Sequence, residues 1–375
     1  VVKVHPKLEL KKRPTIIFVN GRLPLPLSVG GDGVSMNIIL KNLHELGYPV
    51  ISIGSTNPKK QPMGITQMKE EILKHEIKSE IVHTKNRLEY HCPYTSIAVA
   101  PSKILSEIES LTSKANNVIV FTQLEMSPEI SDWAISKNIP LVFFVHDAEP
   151  ENLWTLDILL KAPNKSWVIF NSNYTKDKFT RYAKTLKTSV IYPPIESNRR
   201  LKRTNRKFVT MINPVKVKGG KTFFEIAKNL PNIKFLGIKV WYDPLKDGLD
   251  FSKLNNVKIW EKQVNIDSFL EKTKLLLVPS IWEEGFGRIV IESMSKGVPV
   301  VASKIGGLVE AIGDSGILIE NYKNPNDWIK EICFLLKSPA TLRLYSKKGI
   351  EHSSKFRISN CSNKIEEIIN NLLKN

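Results

Sequence analysis

The sequence predicts an α/β protein made of two doubly wound parallel-sheet lobes that face each other across a central cleft. Three observations predict it. Short runs rich in Val, Ile and Phe alternate with amphipathic stretches of helical spacing, the pattern of a parallel sheet covered on both faces by helices. The alternation stops at Tyr192-Pro193-Pro194-Ile195 and then begins again. A length of 375 residues suits two domains of ordinary size better than one.

In the first half the buried-strand candidates are Thr15–Asn20, Val50–Ile53, Val118–Phe121, Leu141–Val145, Trp167–Phe170 and Val190–Tyr192. Helical stretches between them include Val34–Leu46 and Pro128–Lys137. Two successive prolines then end a strand and cannot enter a helix. The polar, basic stretch Glu196–Lys207 follows and reads as an interdomain linker. In the second half the strand candidates are Phe208–Ile212, Ile233–Leu236, Val257–Trp260, Leu275–Val278, Val298–Val301 and Gly316–Ile319. Helices are predicted at Gly220–Asn229, Ile266–Lys272, Gly287–Lys296, Leu308–Ile312 and Pro325–Leu336. In the tail Arg357–Lys374, apolar residues recur at Ile358, Cys361, Ile365, Ile368, Ile369 and Leu372 with helical spacing, so it reads as a packing helix. The division into domains is 1–195, 196–355 and 356–375. The loops Leu23–Val29 and Gln61–Tyr94 match no pattern.

Composition narrows the classes. Hydrophobic residues make up 42% and charged residues 25%, as in a soluble globular protein. No apolar run approaches the ~20 residues needed to span a bilayer, and the polar, basic Val1–Arg13 is no secretory signal. Three scattered cysteines (Cys92, Cys333 and Cys361) form no Cys-x-x-Cys or Cys/His cluster. That disfavours a zinc site or a disulfide framework and points to a reducing cytoplasm. The net charge of +18 favours anionic partners such as nucleotide phosphates, acidic glycans, anionic lipid or nucleic acid. The plain alternative is a Lys-rich solvated surface.

In doubly wound sheets ligands bind beyond the carboxyl ends of the strands, and the candidate residues fall in loops that follow strands. Pro279–Gly287 leads from a strand into a helix carrying Arg288-Ile289-Val290-Ile291-Glu292. Gly285 and Gly287 let the backbone turn tightly and approach a ligand. The helix start offers free N–H groups and the positive end of a dipole, which suits phosphate. Glu284 and Glu292 can accept from the hydroxyls of a polyol; for a lone glycine-rich turn the plainer reading, Glu284 capping the helix and Glu292 on the surface, is the favoured one. Met211–Gly220 likewise follows a strand, and Lys218 beside glycines at a helix start suits a diphosphate. Val29–Ser35 carries Gly30 and Gly31 before a helix, which alone is a turn. His146, in Phe143–Asp147, ends a buried strand on the cleft side; a lone histidine is more often structural. Asn171-Ser172-Asn173-Tyr174 and Tyr192-Pro193-Pro194 read as strand-ending turns and a hinge. Between Ser197 and Phe224 there are nine Lys or Arg and no acidic residue, either an anion-binding rim or a solvated linker.

The stretch Pro279–Glu310 resembles the signature of the family 4 retaining glycosyltransferases, of the glycosyltransferase group 1 type. That signature has two glutamates separated by seven residues, as Glu284 and Glu292 are, then G-[VI]-P-V-V-A-[ST], matched by Gly297–Ser303, and G-G-x-x-E, matched by Gly306–Glu310. The resemblance implies two Rossmann-like lobes in the GT-B arrangement. The donor would lie on 196–355 and the acceptor on 1–195, with the helix of 356–375 packing back on the first lobe. It implies a nucleotide-sugar donor, with Glu284 contacting the sugar, Glu292 the ribose, and the backbone at Phe286 and Gly287 the sugar or phosphates. Lys218 would grip the diphosphate. Asn213 stands where the family has an arginine; it donates hydrogen bonds without charge, so a second cation must come from elsewhere, with Lys216 and Lys221 nearby. Gly30 and Gly31 would face the diphosphate and acceptor, and His146 the transferred sugar.

The implied reaction is transfer with retention to a hydroxyl of a glycan, lipid-linked or other acceptor. No Asp-x-Asp motif occurs, so no metal or other cofactor is expected beyond the nucleotide-sugar co-substrate. The basic surface allows peripheral contact with an anionic membrane, and no nucleic acid partner is expected. Two other readings remain: a GT-B sugar-nucleotide epimerase, and a non-catalytic polyanion-binding protein on the same scaffold. The paired glutamates and Lys218 argue against the second.

Overall fold

The computed structural model describes residues 13–374 apart from residues 29, 57–62, 75–80, 85–86, 116, 197–205, 241–242 and 264. The basic run between Glu196 and Lys207 therefore lies mostly outside the described residues, as do Val1–Lys12 and Val29.

Lobe 1 runs β1 (Thr15–Val19), α1 (Gly31–Glu45), β2 (Val50–Ser55), α2 (Ile65–Lys74), β3 (Val82–His83), β4 (Arg87–His91), β5 (Thr95–Val99), α3 (Ile104–Thr112), β6 (Val118–Gln123), α4 (Ser127–Ser136), β7 (Leu141–Val145), α5 (Asn152–Leu159), β8 (Ser166–Phe170), α6 (Asn173–Lys178), α7 (Thr180–Thr185) and β9 (Lys187–Val190). Lobe 2 runs β10 (Phe208–Ile212), α8 (Gly220–Asn229), β11 (Phe235–Ile238), β12 (Val257–Trp260), α9 (Asp267–Leu270), β13 (Thr273–Val278), α10 (Arg288–Ser295), β14 (Val300–Ser303), α11 (Leu308–Ile312), β15 (Ile317–Ile319), α12 (Pro325–Lys337) and α13 (Pro339–Ser353). The chain ends in α14 (Ile358–Leu373).

Both sheets are doubly wound. The strand order is β3-β4-β5-β2-β1-β6-β7-β8-β9 in lobe 1 and β12-β11-β10-β13-β14-β15 in lobe 2. The order reverses beside β1 and β6 in one lobe and beside β10 and β13 in the other. Each reversal opens a crevice at the carboxyl ends of those strands.

Three strand expectations shift, each for a local reason. Val190–Tyr192 becomes Lys187–Val190, because Pro193 and Pro194 have no N–H to extend the ladder. Ile233–Leu236 becomes Phe235–Ile238, because the Asn256 side chain takes the Ile233 carbonyl. Val298–Val301 becomes Val300–Ser303, because the Val298 N–H closes the end of α10 on Ser293 and Pro299 cannot donate. The antiparallel edge β3–β4, with β4 also antiparallel to β5, was not legible. Its middle strand Arg87–His91 alternates buried and more exposed residues instead of forming an apolar run. Helix α13 also escaped the sequence reading; its surface is mostly polar, with Ser346, Gly349 and Ser353 buried.

Apolar side chains fill both faces of each sheet. In lobe 1 one face is covered by α1 and by α14, whose Ile365, Ile368, Ile369 and Leu372 join Ile16, Phe18 and Met36. Burying side chains of this kind stabilises by roughly 1.5–3 kcal/mol each. The chain crosses between lobes twice, side by side. Ile195 bridges Arg357 in parallel, and the Ile195 N–H donates to the Phe356 carbonyl at 2.8 Å.

Candidate functional site

Two loops of lobe 2 meet at its crevice. The loop after β10 passes through Asn213, whose backbone is left-handed at φ 56°, a conformation Asn tolerates better than most residues. It then makes a short 3₁₀ turn over Lys216–Lys218 and enters α8 through Gly219 at φ 86°. A side chain at Gly219 would strike the Pro279 carbonyl of the loop after β13, so only glycine lets the two loops touch. Across that contact Lys218 Nζ donates to Glu284 Oε1 at 2.6 Å, with the side chains only 16% and 18% exposed. The structure thus brings Lys218 and Glu284 together as one ion pair in the crevice.

The other residues that the resemblance assigns to the donor are placed differently from one another. Gly287 caps α10 at φ 93°, beside Leu308, and presents the helix start. Phe286 turns its ring away, 2% exposed, onto Tyr192 (5.2 Å) and Phe356 (5.3 Å) of the two crossings. Its backbone stays in the loop. Glu292 accepts from Arg288 Nε at 2.7 Å one turn away, and both side chains are largely buried. The alternative of Glu292 as a surface residue is therefore corrected. Asn213 is buried, while Lys216 and Lys221 are exposed.

Arg288 was missed, although the sequence carried a signal. A cation in the first turn of a helix opposes the dipole, so something else must hold it. Here Arg288 Nη1 donates to Ser35 Oγ at 3.0 Å and to the Pro194 carbonyl at 2.6 Å, in addition to its pair with Glu292. Gly31 lies against it: a Cβ there would sit 3.5 Å from Arg288 Cβ and Cδ. Gly31 opens α1 and Gly30 precedes it at φ 125°, so this glycine turn of lobe 1 faces the start of α10 in lobe 2.

Lobe 1 contributes strand ends. His146 follows β7, and its Nε2 lies 2.6 Å from Gln123 Oε1 at the end of β6. Burial lowers its pKa, against the pull of Asp32 and Asp147, and favours the neutral ring. Arg22, after β1, is held by Glu125 (Nε to Oε2, 2.6 Å) and by Asp32 (Nη1 to Oδ2, 2.9 Å). This cluster was also missed, because its members lie about a hundred residues apart in part and share no motif. The same region contains a small recess lined by Ser35, His146, Asn171 and Pro194, among others.

The seam between the lobes is tight at the Glu284–Gly285 turn. A side chain at Gly285 would strike the His146 carbonyl. Ser172 Oγ donates to the Gly285 carbonyl at 2.6 Å, and Asn171 Nδ2 to the His146 carbonyl at 2.6 Å. Among the described residues no group of three or more His, Cys, Asp or Glu side chains is placed to hold a metal, and no helix is long and apolar enough to cross a membrane.

Comparison with known proteins bears on the fold and on the second lobe. Residues 195–352 match the family model described as Glycosyl transferases group 1. The chain is 37% identical over 106 residues to a D-inositol 3-phosphate glycosyltransferase of Segniliparus rotundus, covering 27% of this chain and 23% of that protein. It is 27% identical over 204 residues to an uncharacterized glycosyltransferase of Methanocaldococcus jannaschii, covering 53% of this chain and 57% of the relative. The matched region thus spans from under a quarter to just over half of these relatives' length. The solved structure of Anabaena HepE in complex with UDP and glucose aligns over 96% of this chain and 100% of its own, with a TM-score of 0.74 at 18% identity, a likeness of fold. None of these similarities supports the epimerase or polyanion-binding reading. The fold is the two-lobed GT-B fold, and residues 195–352 of its second lobe are similar to the glycosyl transferases group 1 family.

Proposed function

We propose that this chain, with a group 1 glycosyl transferase domain as its second lobe, transfers a sugar from a nucleotide-sugar donor to an acceptor hydroxyl with retention and without a metal. The observation that carries the proposal is the ion pair of Lys218 and Glu284 in the crevice of lobe 2, beside the free start of α10. A diphosphate reaching this crevice competes with Glu284 for the Lys218 ammonium. Lys218 then neutralises the phosphates, and the released Glu284 carboxylate accepts from sugar hydroxyls. The α10 N–H groups at Gly287 add a second partner for negative charge. Arg288, beside Gly31, supplies the nearby cation that Asn213 does not. Glu292, held in place by Arg288, is the candidate partner for the ribose.

In the proposed step the bond between the anomeric carbon and the diphosphate oxygen breaks and its electrons leave with the diphosphate. The acceptor oxygen bonds to that carbon from the same face, and its proton passes to the departing phosphate. No side chain acts as a covalent nucleophile. Lys218 stabilises charge that grows during the step, which is where such donors have their largest effect. His146, neutral and at the lobe 1 side of the seam, offers a hydrogen bond near the transferred sugar. The complex of HepE with UDP and glucose supports a nucleotide-sugar donor on this fold.

The test is a screen of sugar nucleotides for thermal stabilisation, since a ligand that binds only the native state raises Tm, followed by turnover with the nucleotide that stabilises most. Glu284→Ala is expected to cripple transfer while nucleotide binding survives. Loss of nucleotide binding in a folded Glu284→Ala variant would make Glu284 structural and overturn its assignment.

A further inference from the structure

The turns Asn171–Tyr174 and Tyr192–Pro194 have no part in the proposed chemistry, yet they converge on one carboxylate. Glu310 lies in the first turn of α11 in lobe 2. Its Oε1 accepts from the Tyr174 N–H at 2.6 Å. Its Oε2 accepts from the Asn173 N–H at 3.0 Å, from Asn173 Nδ2 at 3.0 Å and from the Tyr192 hydroxyl at 2.9 Å. Asn173 and Tyr174 open α6 of lobe 1, where backbone N–H groups have no partner inside the helix, and Tyr192 begins the crossing between lobes. One side chain therefore fastens lobe 2 to lobe 1 and to the hinge, with charge-assisted bonds of the stronger kind. Burial and Glu310 together push the Tyr192 hydroxyl up to about 12, so it remains a donor at any physiological pH.

The fastening is close to the reacting groups. Gly307, three residues before Glu310, donates its N–H to the Glu284 carbonyl at 2.7 Å. Side chains at Gly306 or Gly307 would strike the backbone of Glu284 or Gly285. On the other side of the same turn, Glu283 accepts from Lys178 Nζ at 2.9 Å and from the Tyr174 hydroxyl, both on α6. The Ser172 cap of α6 in turn donates to the Gly285 carbonyl. The short helix α6 is thus gripped by Glu310 and Glu283, which stand on either side of the Glu284–Gly285 turn.

We propose that Glu310 is a positioning residue that holds α6 and the Tyr192 crossing against the Glu284–Gly285 turn, and so sets the closed spacing between lobes in which Glu284 and Lys218 work. Its effect on turnover rests on the transferase reading; its effect on lobe spacing does not. The nucleotide is held by lobe 2, so losing the clasp changes turnover more than donor binding.

The test pairs two readouts. Spin labels at Ser106→Cys in lobe 1 and Lys330→Cys in lobe 2, in a chain whose three native cysteines are replaced by serine, report the distance between lobes. Wild type is expected to give one narrow distance, Glu310→Ala a longer and broader distribution, and Glu310→Gln, which keeps one acceptor oxygen but loses the charge and sets its amide nitrogen against an N–H donor, an intermediate one. Tyr192→Phe removes one bond of the clasp and is expected to shift the distance less, in the same direction; it serves if Glu310→Ala does not fold. With the sugar nucleotide that stabilises wild type, Glu310→Ala is expected to lose at least about tenfold in kcat with KM for the donor within about twofold. Glu310→Gln should recover part of that loss. Wild-type distances in folded Glu310→Ala, or in Tyr192→Phe if Glu310→Ala does not fold, overturn the clasp even where transfer is observed. Opened distances in a protein that transfers no sugar keep the clasp and overturn the transferase reading.

Discussion

Lobe 2 gathers its candidate chemistry from two loops, 213–220 and 279–292, each leading directly from a strand into a helix. Lobe 1 gathers its own from separate strand ends and one helix start: Arg22 after β1, Asp32 in α1, Glu125 after β6 and His146 after β7. The sheets have the same winding and differ in how their sites are assembled. A site made of strand–loop–helix units carries its spacing along the chain, so residues such as Glu284 and Glu292 keep a fixed register. A site made of separate strand ends has no register, and its members meet only when the sheet forms. Local units in one lobe and dispersed groups in the other are the arrangement expected if, as proposed, the first binds a donor common to many proteins and the second an acceptor that differs between them.

The comparison is broken most directly in lobe 2. Lys218→Ala is expected to lower turnover by about 10²–10³-fold at saturating donor, the scale seen when one preorganised donor to a developing charge is removed. Near wild-type kcat in that variant would show that the ion pair is structural. The seam between lobes comes next. Gly285→Ala places a methyl group against the His146 carbonyl and near Asn171 Nδ2, so the lobes must part or the turn must move. Misplacement of that order costs about 10²-fold in rate, and circular dichroism should show an unchanged fold. Full activity in Gly285→Ala would mean that the working spacing differs from the one described.

The smallest expected effect separates the lobes by pH. Burial lowers the pKa of His146 in lobe 1 and of His352, at the end of α13 in lobe 2. For each, the folded value lies below the ordinary 6.5. Between the two values the unfolded chain binds more protons, so stability falls as pH drops below about 6.5 and levels off once the folded value is passed. Urea midpoints at pH 7.5 and 5.5 should show this loss in wild type. His146→Gln and His352→Gln should each remove part of it. A wild-type midpoint that does not change over that range would contradict both assignments.

Much of the fold was legible because buried parallel strands are short apolar runs and amphipathic helices keep their period. The antiparallel edge Arg87–His91 was not, since a half-buried strand alternates and shares its composition with loops. In the site, Lys218, Glu284 and Gly287 were legible through their register in the glycosyltransferase signature, since a glycine turn at a helix start is common and alone says little. Glu292 was legible as a motif position, but its partner was not: Arg288 was visible only as a charge misplaced on the helix dipole. The Arg22 cluster and the Glu310 clasp depend on pairs 103 and 136–137 residues apart, which no local pattern encodes.

The central claim is that lobe 2 holds a nucleotide diphosphate at Lys218, and calorimetric titration tests it most directly. UDP, the nucleotide in the HepE complex, and the best sugar nucleotide from the thermal screen would be titrated into wild type and Lys218→Ala. The account predicts binding to wild type and an affinity weakened by about tenfold or more in the folded variant, the loss of one charge-assisted contact of about 1.5–3 kcal/mol. Equal affinity in the two proteins would contradict it.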